Sequence, residues 1–244
     1  MNAADYFDCQ ADAFAHSYAS LRDFRARLAL WTRLIDRYAA RAGAKRCIDL
    51  GCGPGLLSFE AAERGLTTVG IDPSPRMLAR CEAEKRRRGL EDVHFLRGSL
   101  PLASPSAIER ADVVLCSSVM EYLPDWDAVV PGIRDLLTPG GHFLVSLPNG
   151  RSVYRLYEKW KYHLTGRPEY YRHVRHVPSA SAAIAFFRRF GFTCQECCYY
   201  GDEPLLSRIA SRLLPEQFSK NLYVLVLCKG AFLPSSAANR LSAA

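Results

Sequence analysis

Two carboxylates bracket a glycine-rich turn in this chain. Asp49 lies in the run CIDLGCGPGLLSFE (47–60), and Asp72 follows Gly51 by 21 residues. Gly51, Gly53 and Gly55 alternate where an apolar run stops, and an apolar helical pattern resumes behind them. Glycine allows positive φ and lets a ligand approach bare backbone without a Cβ in the way. The helix beyond offers unpaired N–H groups and a positive dipole end. A carboxylate at Asp72, at the carboxyl edge of the next strand, suits a pair of ribose hydroxyls. The chemistry is that of a nucleotide-type binding turn. A dinucleotide fingerprint, G-x-G-x-x-G, would need its third glycine at Leu56, so a nicotinamide dehydrogenase is disfavoured.

These residues need strands that end together and helices that start behind them. The pattern predicts strands at 46–50, 67–72, 93–98, 111–118, 141–149, 193–200 and 222–228. Helices are expected at 55–65, 74–89, 126–137 and 179–192, with Ser74 as N-cap, Pro75 in the first turn and Gly89 at the end of the second. Pro131 predicts a kink or restart in the third. Two further helices are read over 5–40 from Phe7, Phe14, Tyr18, Leu28, Trp31, Leu34 and their neighbours, and a short helical excursion between the last two strands. Alternating strands and helices, with strands that are continuously apolar, imply an α/β doubly wound parallel sheet covered on both faces. One domain is expected over 1–233, with N-terminal helices at 1–44, an insertion at 150–178 and a disordered tail at 234–244.

DLGCGPG (49–55), GID (70–72), SSVMEYLPD (117–125) and LLTPGGHFLVSLPN (136–149) resemble, in order and interval, the motifs of class I S-adenosylmethionine-dependent methyltransferases. The resemblance covers residues 45–150 closely and extends through FFRRFGF and the final strand. It implies a Rossmann-like seven-stranded sheet ordered 3-2-1-4-5-7-6 with strand 7 antiparallel, and S-adenosylmethionine as cofactor. On this likeness Asp49 and Gly51–Gly55 border the methionine moiety, and Asp72 holds the ribose with Pro73, Ser74 and Met77 beside it. Met77 reads equally as core. Ser99 stands where many relatives carry an acidic adenine ligand, so Ser99 or the backbone to Leu100 would substitute. Ser117 opens the next motif, and Tyr18 would close over the cofactor. The function implied is methyl transfer to a small, aromatic or lipophilic acceptor, at a hydroxyl oxygen before nitrogen or carbon. A non-catalytic module that binds S-adenosylmethionine is the rival.

A hydroxyl acceptor calls for a base. His176 and then His173, in YYRHVRHVPS, are the first candidates, because similar O-methyltransferases place a substrate-side histidine there and imidazole titrates near neutrality. Both read alternatively as surface histidines in a basic loop. Tyr122 replaces the histidine usual in the related LEH segment, and with Glu121 it is a second choice. The insertion interleaves aromatics with seven Lys/Arg and two acids over 151–175, and Val153, Tyr157, Trp160 and Leu164 fall at helical spacing. It reads as a lid or substrate wall, like the comparable segment of ubiquinone-pathway O-methyltransferases, or as a peripheral membrane contact. A nucleic-acid face is the weakest alternative.

Bulk composition agrees with a single soluble globular domain. The net charge of +7 belongs to the C-terminal part: residues 151–244 hold 14 Lys/Arg against 6 Asp/Glu. Nine cysteines at irregular spacing suit reduced thiols in the cytoplasm. One C-x-x-C pair, Cys194 and Cys197, has no second pair to complete a zinc site, and no metal is expected. The N-terminus lacks a signal-peptide pattern.

Overall fold

The computed structural model describes residues 3–9, 22–40, 43–201 and 205–230. Tyr18 and the tail at 234–244 lie outside the described residues. Strands β1 (Arg46–Leu50), β2 (Thr67–Asp72), β3 (Val93–Arg97), β4 (Ala111–Ser117), β5 (Leu137–Pro148), β6 (Phe192–Tyr200) and β7 (Leu222–Lys229) form one seven-stranded sheet. Its order is 3-2-1-4-5-7-6, and β7 runs antiparallel to both neighbours. The middle stretches of the central strands are largely apolar because both sheet faces are covered. Val113 and Leu115 point to one side and Val114 and Cys116 to the other, all four fully buried.

Each face has its own core. On one side helices α1 (Ala3–Cys9) and α2 (Arg22–Ile35) precede β1, and Trp31, Leu34 and Ile35 of α2 join Leu57 and Ala61 of α3 (Leu56–Ala62) against Cys47, Leu144 and Val226. Beside α3 on that same side lies α4 (Pro75–Arg88), whose Arg88 pairs with Glu63 at 2.7 Å and covers the Phe59 ring, and which precedes β3. The second core covers the other side. Trp126, Val130 and Ile133 of α5 (Trp126–Asp135) meet Phe143 and Leu225 there. Further along come α6 (Val153–Thr165), α7 (Ala180–Arg188), α8 (Leu205–Leu213) and the short α9 (Glu216–Ser219), with Phe187 of α7 completing the second core.

Local chemistry sets the boundaries that position the site. Ser74 accepts from the Met77 N–H at 3.0 Å, Pro75 opens α4, and Gly89 closes it in the left-handed region at φ 64°. Lys85 and Arg86–Arg88 crowd its last turn, where the dipole favours cations. α5 runs as one helix through Pro131, with no restart there. Pro131 and Asp127, the residue whose carbonyl the missing N–H would have served, are both exposed, so water can meet that carbonyl. The C-x-x-C pair lies on β6, where burial holds both thiols above their ordinary range and Cys197 is pushed up to about 12.

Candidate active site

A cavity of about 900 Å³ opens where β1, β2 and β4 end, at the point where the strand order reverses between β1 and β4. Open α/β sheets bind ligands at such a crevice. Its floor is the loop from Gly51 to Gly55. Gly51 has φ 67°, and a Cβ there would lie 2.3 Å from Val119 Cγ2, so no other residue fits. Gly53 has φ 54°, and a Cβ there would meet nothing within 4 Å. Its bare face is open space for a ligand.

The two carboxylates hold this loop in different ways. Asp72 accepts from the Gly53 N–H at 2.8 Å and from the Ser74 N–H at 2.9 Å, linking the turn to the start of α4. Burial raises its pKa, and the two backbone donors oppose the rise. Asp49 is 2% exposed and accepts from the Ser58 hydroxyl at 2.7 Å. Burial outweighs that bond and lifts its pKa to about 7. A buried carboxyl so poorly compensated would ionise readily beside a bound cation such as the ammonium of a methionine moiety. Pro73, Ser74, Met77, Ser99, Leu100 and Ser117 all line the same cavity. Ser117 Oγ accepts from Arg27 at 2.5 Å. The adjacent Ser118, with φ 57°, is a non-glycine residue held left-handed, and its N–H donates to Ser146 Oγ at 2.9 Å. Such strain collects where surrounding structure over-determines a loop.

Beyond the glycine turn the lining changes to aromatic and charged groups. Tyr6 and Phe7 of α1 enter it, and Phe7 packs edge-on against Tyr122 with centroids 5.0 Å apart. Asp8 latches α1 to the Ser74 hydroxyl. From the insertion come Arg155 and Tyr170. Arg155 pairs with Glu158 at 2.6 Å, and Tyr170 bonds the same carboxylate. Glu121 lines this half of the cavity, 4% exposed, and its Oε2 has no hydrogen-bond partner among the described residues. Burial raises its pKa to about 7, with Arg155 and Arg27 pulling the other way.

The two histidines are not in the lining. His173 packs on Tyr6, and its Nε2 accepts from Arg172 at 3.0 Å. Burial and the neighbouring Arg172 and Arg175 lower its pKa. His176 packs against Trp126, centroids 4.9 Å apart. What this segment gives the site is backbone: the N–H groups of Arg175 and His176 donate to the Glu121 carbonyl at 2.7 and 3.2 Å. Tyr122 does line the cavity, but burial takes its phenol well above the ordinary range, which suits donation and not proton uptake. Phe7, Arg27, Arg155 and Tyr170 were not singled out from the sequence. Phe7 carried only a helical-face signal there.

The model of a methyltransferase-domain family matches residues 21–196. The ubiquinone biosynthesis O-methyltransferase of Acinetobacter baumannii (strain AYE) is 30% identical over 115 residues, 47% of this chain and 48% of that protein. That of Pseudomonas entomophila is 33% identical over 115 residues, 47% and 49% of the two chains. The chain therefore spans about half the length of the curated relatives it matches. Two solved structures share the fold at 15% identity. The N-methyltransferase NodS of Bradyrhizobium japonicum, in complex with S-adenosylhomocysteine, has a TM-score of 0.67 over 94% of this chain and 99% of its own. The magnesium protoporphyrin IX methyltransferase of Synechocystis has 0.69 over 93% and 97%. With the family's model extending over the cavity-bearing sheet from α2 into β6, this chain belongs to the class I methyltransferases, whose cofactor is S-adenosylmethionine.

Proposed function

We propose that this chain methylates a hydroxyl oxygen of a small aromatic or lipophilic acceptor. The observation that carries the reading is Glu121, a buried carboxyl with an unpartnered oxygen, on a residue in the wall of the aromatic half of the cavity. The A. baumannii relative, by its name, methylates oxygen in ubiquinone biosynthesis, which supports the same atom. When bound, S-adenosylmethionine supplies an electrophilic methyl group. Asp49 and the Gly51–Gly55 turn would hold its methionine end, and Asp72 the ribose. Phe7, Tyr122 and Tyr170 would fix the acceptor and exclude water, and such alignment can lower a barrier by roughly 7–11 kcal/mol. The Glu121 carboxylate would take the proton of the acceptor hydroxyl, whose oxygen would gain the methyl group in place of the departing thioether, S-adenosylhomocysteine.

The test is product analysis. The protein is incubated with S-adenosylmethionine and a panel of catechols, phenols and matched amines, and the methylated atom is located by mass spectrometry and NMR. O-methylated phenols are expected. Methylation only at nitrogen or carbon, or no turnover of any hydroxylated acceptor by protein that binds S-adenosylhomocysteine, overturns the oxygen reading.

Asp49 gives the cofactor site a pH signature. With its pKa at about 7 in the free protein, binding a cation beside it must expel its proton. Affinity for S-adenosylhomocysteine should therefore rise with pH, about tenfold between pH 6 and 8. Asp49→Asn should flatten that dependence. Calorimetry at several pH values measures both.

A further inference from the structure

Helix α6 is built inside out. At 3.6 residues per turn, Val153, Leu156, Tyr157, Trp160 and Leu164 share one stripe. A helix docked on a globular core normally buries such a stripe and shows its charges to water. Here the charged side is the buried one. Glu158 is 2% exposed and bonded to Arg155 at 2.6 Å, and Arg155 reaches the cavity. The stripe faces out instead, with Leu156 59%, Trp160 61% and Leu164 64% exposed. Helix α8 lies beside α6 and adds Ile209 and Leu213, the latter 77% exposed. Exposed apolar side chains on two adjacent helices mark an interaction surface.

The charges around the stripe say what it meets. Lys159 and Lys161 flank it on either side of α6, and Arg212 is exposed on α8. The one acid of α6, Glu158, is turned inward, so the outward face carries cations without a carboxylate from its own helix. A symmetric pairing of two copies would bring like charges together across the contact. A nucleic-acid strand would find aliphatic leucines where it needs stacking rings. Anionic headgroups would neutralise the lysines while Leu156, Trp160, Leu164 and Leu213 enter the acyl boundary, with Trp160 and Tyr157 at the level where amphipathic rings settle. We propose that the α6–α8 face seats this protein on an anionic bilayer. Arg155, on the opposite side of α6, would then stand about one helix diameter, roughly 10 Å, from the lipid. This proposal stands whatever atom the enzyme methylates.

The experiment is flotation of the full chain with phosphatidylcholine vesicles, with and without phosphatidylglycerol, at low and high salt. Binding is expected with phosphatidylglycerol at low salt, weakened by added salt and accompanied by a blue shift in tryptophan emission. Lys159→Ala with Lys161→Ala should weaken it roughly thirtyfold. Trp160→Ser with Leu164→Ser should weaken it at least about tenfold. Both double variants change exposed side chains, so thermal melting should stay at the wild-type value, and the wild-type salt titration tests the proposal without any variant. No flotation of wild type with phosphatidylglycerol at low salt overturns it. So does equal binding to neutral vesicles. A wild-type dimer that Trp160→Ser with Leu164→Ser converts to monomer assigns the face to a second copy instead.

Discussion

Glu121→Gln is expected to lower kcat by roughly 10²–10⁴-fold while leaving affinity for S-adenosylhomocysteine within a few-fold. Glutamine keeps the shape and loses the ability to take a proton. Burial is what makes the wild-type group useful. A carboxyl with a pKa of about 7 is half ionised at neutral pH and basic enough to accept a phenolic proton. Wild-type kcat should rise with pH to a plateau above about 7, and the glutamine variant should lose that limb. Stability should move the opposite way. The folded protein holds this proton more tightly than the unfolded chain does. The contribution is complete below the unfolded carboxylate value and is lost as pH rises through about 7. At pH 8 the variant should therefore melt higher than wild type, by at most about 3 kcal/mol of stability, and at pH 4 the two should coincide. His173→Ala and His176→Ala, whose rings do not line the cavity, should keep turnover within a few-fold. Should Glu121→Gln turn over within fivefold of wild type, base catalysis by this residue is excluded, and alignment alone carries the reaction.

That contrast between Glu121 and the histidines shows where sequence reasoning reaches. Asp49, the glycine turn and Asp72 were legible because local rules govern them: a strand must end, the chain must bend at positive φ, and a capped helix must begin. Ser74, Pro75 and Gly89 bound α4 where capping rules place them. The order of the sheet came from resemblance and agrees with the observed pairing. What spacing does not carry is the direction an element faces. The helical period of α6 groups Tyr157, Trp160 and Leu164 correctly, yet it does not say that Arg155 and Glu158 turn inward. A wall of aromatics was expected from that stripe, and the cavity instead receives Arg155 from the opposite side, with Tyr170 from the segment that follows. His176 and Glu121 are neighbours only because the chain leaving the insertion hydrogen-bonds to the Glu121 carbonyl. That long-range contact has no local signature, and it brings a backbone to the site where the sequence suggested a ring.

Asp72→Ala is expected to raise the dissociation constant for S-adenosylhomocysteine by roughly 10²–10⁴-fold. The variant removes both acceptors that hold the turn. The Gly53 N–H loses its 2.8 Å partner and the Ser74 N–H its 2.9 Å partner, in a place only 8% exposed. Hydrogen bonds to a charged group contribute about 1.5–3 kcal/mol each, and an orphaned buried donor adds its own desolvation cost. The loop whose bare face at Gly53 admits the ligand would then be free to shift. Asp72→Asn should fall between wild type and alanine, because its oxygen can still serve one N–H while its NH₂ opposes the other. If the loss lies in binding, saturating S-adenosylmethionine should restore much of kcat, so KM moves far more than kcat. Calorimetry and steady-state kinetics together separate this from the Glu121 variant, in which kcat moves and affinity does not. The two cores on either side of the sheet do not include Asp72, so cooperative melting should survive both substitutions. An Asp72→Ala protein that melts cooperatively and binds S-adenosylhomocysteine within fivefold of wild type would place the cofactor away from this turn, and Glu121 would lose its position relative to the methyl group with it.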